Sequence, residues 1–158
     1  MPAVDNSTVA KPGSRLRELG VVLPTPPSPL GAYVEVSQVG SLLFVSGTSP
    51  LVNRKLAISG RVGANLSVEQ GQEAALNALA AAQEYVGDLD KLKRLVSLSV
   101  LVKTTEEFVD HAAVADGVSN LFVQLFGAEA GHGRLVYDVY SAPIGAPVMV
   151  QTVFEIES

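Results

Sequence analysis

Leu95-Val96-Ser97-Leu98-Ser99-Val100-Leu101-Val102 sets Val96, Leu98, Val100 and Val102 against Ser97 and Ser99. Alternation of this kind is the mark of a strand, because successive side chains of an extended backbone point to opposite faces. Two residues on, Thr104 and Glu107 have the spacing of a capping box, in which each side chain satisfies the other's free backbone amide. The helix predicted from it carries Phe108, Ala112, Ala115, Ser119 and Phe122 on one stripe and stops at Gly127. Residues 135–140 are again β-rich, so this third of the chain reads strand, helix, strand.

Toward the N-terminus, Ser67-Val68-Glu69-Gln70 is another capping box. It opens a helix that runs to about Val86, with Ala75, Leu79, Ala82 and Val86 on one face and Gly87 as its stop. Residues 33–38 and 42–46 form an antiparallel hairpin around Val39-Gly40-Ser41, and residues 55–59 a weaker strand. Toward the C-terminus, a proline-containing connection, residues 141–147, leads to a last strand at 148–156. Residues 1–13 read as a disordered tail, residues 14–19 as a short helix, and the proline-rich residues 24–29 as extended surface chain. The whole predicts one α+β domain over residues 14–158, a mixed β-sheet with two helices packed on one face. The second face carries Val, Leu and Tyr, which predicts a homo-oligomer.

Composition narrows the function. A chain of 158 residues with 47% apolar and 17% charged side chains has the material for one core. Sixteen acidic against eleven basic residues give a net charge of −5, the wrong sign for gathering around a nucleic-acid backbone. With no cysteine there is no disulfide and no thiolate chemistry, and two histidines without a spaced third ligand argue against a metal. No segment has the roughly 20 uninterrupted apolar residues of a membrane span, and no basic-then-apolar leader precedes the domain, so the expected location is the cytoplasm. No glycine-rich phosphate loop is present, so nucleotide phosphate binding lacks support.

Gly131-His132-Gly133-Arg134 is different in kind. It delivers a guanidinium to the start of a strand in otherwise apolar sequence, and arginine grips a carboxylate with two parallel hydrogen bonds. An ordinary strand-end ion pair is the other reading of the same residue.

The chain also resembles the YjgF/RidA family of reactive-intermediate imine deaminases, known too as endoribonuclease L-PSP. The resemblance rests on Pro29-Leu30-Gly31-Ala32-Tyr33, Leu43-Phe44-Val45-Ser46-Gly47-Thr48-Ser49-Pro50, Gly87-Asp88-Leu89, Arg134, Ala142-Pro143 and the closing strand, in that order from Leu16 onward. It implies a chorismate-mutase-like fold, a homotrimer with three clefts between subunits, and addition of water to an imine or enamine of an amino acid, with no cofactor. Arg134 matches the arginine that binds the substrate carboxylate, and Tyr33 the tyrosine that a neighbouring subunit lends. Ser46 and Gly47 match the pair lining the pocket, Thr48 stands for the usual glutamine, Asp116 for a helix asparagine and Val136 for a small cleft residue.

Met149 is the largest departure, since deaminating members carry there the glutamate that holds the attacking water. Asp116, Asp138 or His132 are the candidates to replace it, and slow turnover of small enamines is the expectation. A trimeric module that binds a small acidic or keto ligand, or a partner protein, without turnover is the competing reading, and ribonuclease activity ranks third.

Overall fold

The computed structural model describes residues 11–57, 59–62 and 70–157. In chain order the elements are α1 (Pro12–Glu18), β1 (Val36–Val39), β2 (Leu42–Thr48), β3 (Leu51–Val52), β4 (Lys55–Leu56), α2 (Gln70–Val86), β5 (Leu92–Val102), α3 (His111–Phe126), β6 (Gly133–Asp138) and β7 (Val148–Ile156).

Five strands form one sheet in the order β1-β2-β7-β5-β6. β1, β2, β7 and β5 pair antiparallel in turn, and β6 joins β5 in parallel, with α3 as the crossover a parallel pair requires. The alternation read in residues 95–102 holds from Leu98 onward, with Leu98, Val100 and Val102 buried beneath the helices; before it, Leu95 rather than Val96 is buried, across a register shift between Leu95 and Ser97. On β7, Val148, Val150, Thr152 and Phe154 are buried while Met149, Gln151, Val153 and Glu155 face the other way.

α2 and α3 cover the inward face. Ala74, Ala75, Ala78, Leu79 and Ala82 of α2 meet Val114, Val118 and Phe122 of α3 in one core, where Phe122, Phe126 and Phe154 contact one another ring to ring. Burying such a side chain contributes roughly 1.5–3 kcal/mol. Gly71 is required at the crossing of the two helices, since a Cβ there would stand 2.6 Å from Val118 Cγ2.

Four expectations need correction. The first helix begins at Pro12, so Pro12 and Gly13 are helical rather than part of a tail; proline suits a first turn because its missing N–H would be unpaired there anyway. α1 is a third helix, adding its buried Leu16 to the core. α3 begins at His111 instead of Thr104, because the Thr104 hydroxyl and amide both donate to Asp138 Oδ1, at 2.8 and 3.0 Å, and are not free to cap a helix. Around 51–56 the chain makes a two-residue hairpin with Asn53 and Arg54 both at positive φ, a turn that the polar pair permits. Ser67, Val68 and Glu69 of the other capping box, and residues 1–10, lie outside the described residues.

Among the described residues, no helix covers the outward face. Phe44, Leu135 and Tyr137 remain 41%, 57% and 44% exposed on it or at its edge. No helix among the described residues is long and apolar enough to cross a membrane.

Candidate functional site

Two groups of predicted residues stand on opposite faces of the sheet. The first surrounds a cavity of about 220 Å³ on the outward face, lined by Tyr33, Glu35, Gly47, Thr48, Ile144 and Met149 among others. This is room for several waters or one small molecule. Tyr33 is set by a tight turn, its amide donating to the Gly31 carbonyl at 3.0 Å. Its hydroxyl oxygen accepts the Leu30 amide at 3.0 Å, which leaves the phenolic proton free to donate into the cavity.

Gly47 faces Met149 across the irregular register between β2 and β7, where an added Cβ would lie 3.3 Å from the methionine methyl. Ile144, a β-branched residue at φ 55°, forms part of the rim; such strain, of order 1–3 kcal/mol, gathers at functional sites.

Ser46 and Thr48 serve the pocket differently from expectation. The Ser46 hydroxyl donates to the Val34 carbonyl at 2.7 Å and its amide to the Glu35 carbonyl at 2.8 Å, pinning the segment that carries Tyr33. The Thr48 hydroxyl donates to the Ala74 carbonyl at 2.9 Å and ties β2 to α2, so only the remainder of Thr48 lines the cavity.

The second group sits at the β6 edge. Arg134 pairs with Leu98 in the parallel register and so points to the helix side, toward α3. Its Nη1 donates to Asp116 Oδ1 at 2.7 Å and to Ser119 Oγ at 3.2 Å. Ser119 Oγ also lies 2.9 Å from His132 Nε2. Burial, and then the Arg134 charge, hold the His132 imidazole below its usual value. A neutral ring whose Nε2 accepts the serine proton fits this chain of contacts. Val136 packs against the core from the same strand.

Thus Asp116, Arg134 and Val136 come together, as do Tyr33, Gly47, Thr48 and Met149, but the two sets do not meet within one chain. β6 lies two strands, roughly 10 Å, from β7, and the two sets occupy opposite faces. Asp138 is taken up by Thr104, whose two hydrogen bonds, with the His111 and Arg61 charges, outweigh burial and lower its carboxyl below the usual value. It lines no part of the cavity.

Sequence reasoning missed Glu35. A signal was present, since residues 33 and 35 share a face of the strand expected over 33–38, although β1 itself begins at Val36. It also missed the coupling of Ser119 to His132 and Arg134, because contacts between a helix and a loop leave no periodicity.

A helix-backed mixed sheet with a small apolar pocket on its bare face and an arginine at its edge strand puts the chain in the chorismate-mutase-like α+β class. Residues 13–156 match the family described as "YjgF/chorismate mutase-like, putative endoribonuclease". The chain belongs to this YjgF/RidA family and has its fold. It is 36% identical over 150 residues to Protein TCP17 of Trypanosoma cruzi, covering 92% of this chain and 94% of that one. Among solved structures, Atu1372 of Agrobacterium tumefaciens superposes with a TM-score of 0.81 at 34% identity, covering 90% of this chain and 91% of that one. A "putative endoribonuclease" of Shewanella oneidensis gives 0.87 at 30% identity, covering 93% and 100%.

Proposed function

We propose that this protein hydrolyses small carboxylate-bearing imines or enamines to the oxo acid and ammonia, in clefts between identical subunits in the cytoplasm. One observation carries the reading: the arginine group and the pocket group stand on opposite faces of one sheet, and a second copy would bring them together. The contact would use two different surfaces, the bare sheet face of one copy and the β6 edge of the next. Heterologous contacts form rings where the rotation closes, and the trimer implied by the family resemblance is one such ring. Arg134 has Nη2 and Nε without a protein partner among the described residues, and these can grip a carboxylate. The apolar wall of the neighbouring pocket would then exclude bulk water around the electrophilic carbon.

Met149 in the pocket and Asp116 on the arginine favour a second reading, a ligand-binding module without turnover. The endoribonuclease names of relatives find little support in a chain of net charge −5 whose His132 is bonded to Ser119 rather than to a second base. The test is a panel of amino-acid imines generated in situ by an oxidase, with release of ammonia timed with and without the protein and with Arg134→Ala. Acceleration lost in the variant supports hydrolysis. Binding of 2-oxo acids with no acceleration of any imine would leave the module.

A further inference from the structure

We propose that the Glu35 carboxylate is the general base of this pocket, holding the attacking water and taking its proton; this rests on the imine-hydrolysing reading above.

Glu35 directly precedes β1, whose first residue Val36 is buried, and it lines the same cavity as Tyr33 and Met149. Its backbone is fixed on both sides. The Glu35 carbonyl accepts the Ser46 amide at 2.8 Å, and the preceding carbonyl of Val34 accepts the Ser46 hydroxyl at 2.7 Å. A base carried on pinned backbone keeps its distance to a bound substrate, as general-base catalysis requires.

Among the described residues, the carboxylate has neither a hydrogen bond nor an ion pair. A partly buried acid left without a partner costs stability, and sites that bear such a cost are where acid–base chemistry is found. Burial holds its carboxyl above the ordinary glutamate value of 4.5. The groups that face it are Tyr33 in the cavity and, across a groove on its other side, Arg54, Glu84 and Tyr85. Arg54 directs its Nε to the Pro26 carbonyl at 2.9 Å, away from an ion pair with Glu35.

In the reaction, a lone pair of the water oxygen forms the C–O bond to the iminium carbon while the C=N π pair moves to nitrogen. One water proton passes to Glu35, leaving a neutral carbinolamine. Glu35 then returns that proton to the amine nitrogen. The C–N bond breaks as an oxygen lone pair forms C=O, releasing ammonia, and the hydroxyl proton leaves to solvent, from which the ammonia takes up a proton. The sum is iminium plus water giving oxo acid plus ammonium, with no redox partner.

The experiment compares wild type, Glu35→Gln and Glu35→Asp on 2-iminopropanoate generated in situ, with pyruvate affinity measured by calorimetry. The expected result is a fall in kcat of about 10²–10³-fold in Glu35→Gln, with KM and pyruvate affinity held within about threefold and part of the rate kept by Glu35→Asp. The acid limb of the wild-type kcat profile should lie above pH 4.5 and vanish in Glu35→Gln. Wild-type turnover that Glu35→Gln leaves unchanged overturns the assignment and spares the deaminase reading. Loss of pyruvate binding together with turnover makes Glu35 a structural residue and also overturns it. No turnover of any imine by wild type removes the deaminase reading and Glu35's role with it.

Discussion

Asp116 Oδ1 lies 2.7 Å from Arg134 Nη1, so the guanidinium predicted to hold a substrate carboxylate already carries a carboxylate of its own. The pair is open to water, with the Asp116 side chain 61% and that of Arg134 27% exposed, and such pairs are worth about 0–1 kcal/mol. Asp116→Asn should therefore leave stability within about 1 kcal/mol of wild type and tighten binding of a singly charged 2-oxo acid about three- to tenfold by removing the like charge. Weaker binding in calorimetry would mean that Asp116 orients the guanidinium more than it competes with the ligand.

Arg134→Lys separates the two readings of that arginine. An ammonium keeps the charge opposite Asp116 but has no planar fork for a second carboxylate. We expect Arg134→Lys to unfold within about 1 kcal/mol of wild type in urea and to bind 2-oxo acids no better than Arg134→Ala. Affinity equal to wild type in both variants would make Arg134 a surface ion-pair residue.

His132 gives a pH signature. Burial, then the Arg134 charge, depress its folded value below the ordinary 6.5, so the unfolded chain takes up the proton first. Its contribution is present above that pH and lost as pH falls toward the folded value. Urea midpoints measured between about pH 7.5 and about pH 5.5 should therefore fall less in His132→Gln than in wild type, by the linkage of proton uptake to unfolding. Parallel curves would show that the His132–Ser119 contact carries no such linkage.

Much of the fold was legible because its strands are covered on one face: residues 95–102 and 148–156 carry the alternation that burial under α2 and α3 enforces. Thr104 misled, because a capping-box spacing does not say whether the threonine will find a helix amide or a distant Asp138. At the site, motif residues were readable one at a time. Their division between two faces was not, since it follows from strand order, which places three long-range pairings between β2 and β6.

That division makes oligomer mass a sharp measurement. Phe44, Leu135 and Tyr137 are apolar surface that a partner of the same sequence would bury. The expected mass in dilute solution is three times the 16.5 kDa chain. Leu135→Glu should shift the population toward monomer and lower turnover together, as a charge buried at the contact is costly. A wild type that stays monomeric at micromolar concentration would leave the two half-sites unjoined.

Met149 on β7 and Glu35 just before β1 line one cavity, so a carboxylate can be moved between them. Met149 alone predicts slow turnover; Glu35 in the same cavity removes that expectation if it serves the water. Placing a second acid beside it should help little, because two carboxylates sharing an apolar site cannot both ionise easily and one is pushed toward its neutral form. Met149→Glu in the wild-type background is therefore expected to change kcat by less than about threefold, whereas in Glu35→Gln it should restore about tenfold or more of the lost rate. The isosteric amide at 35 keeps the shape of the wall, so the comparison isolates charge. Equal gains in both backgrounds would show that position 149 acts independently of Glu35 and that another group serves the water. Gain in the amide background alone is the coupling that a single shared task requires, because two residues with separate tasks would add.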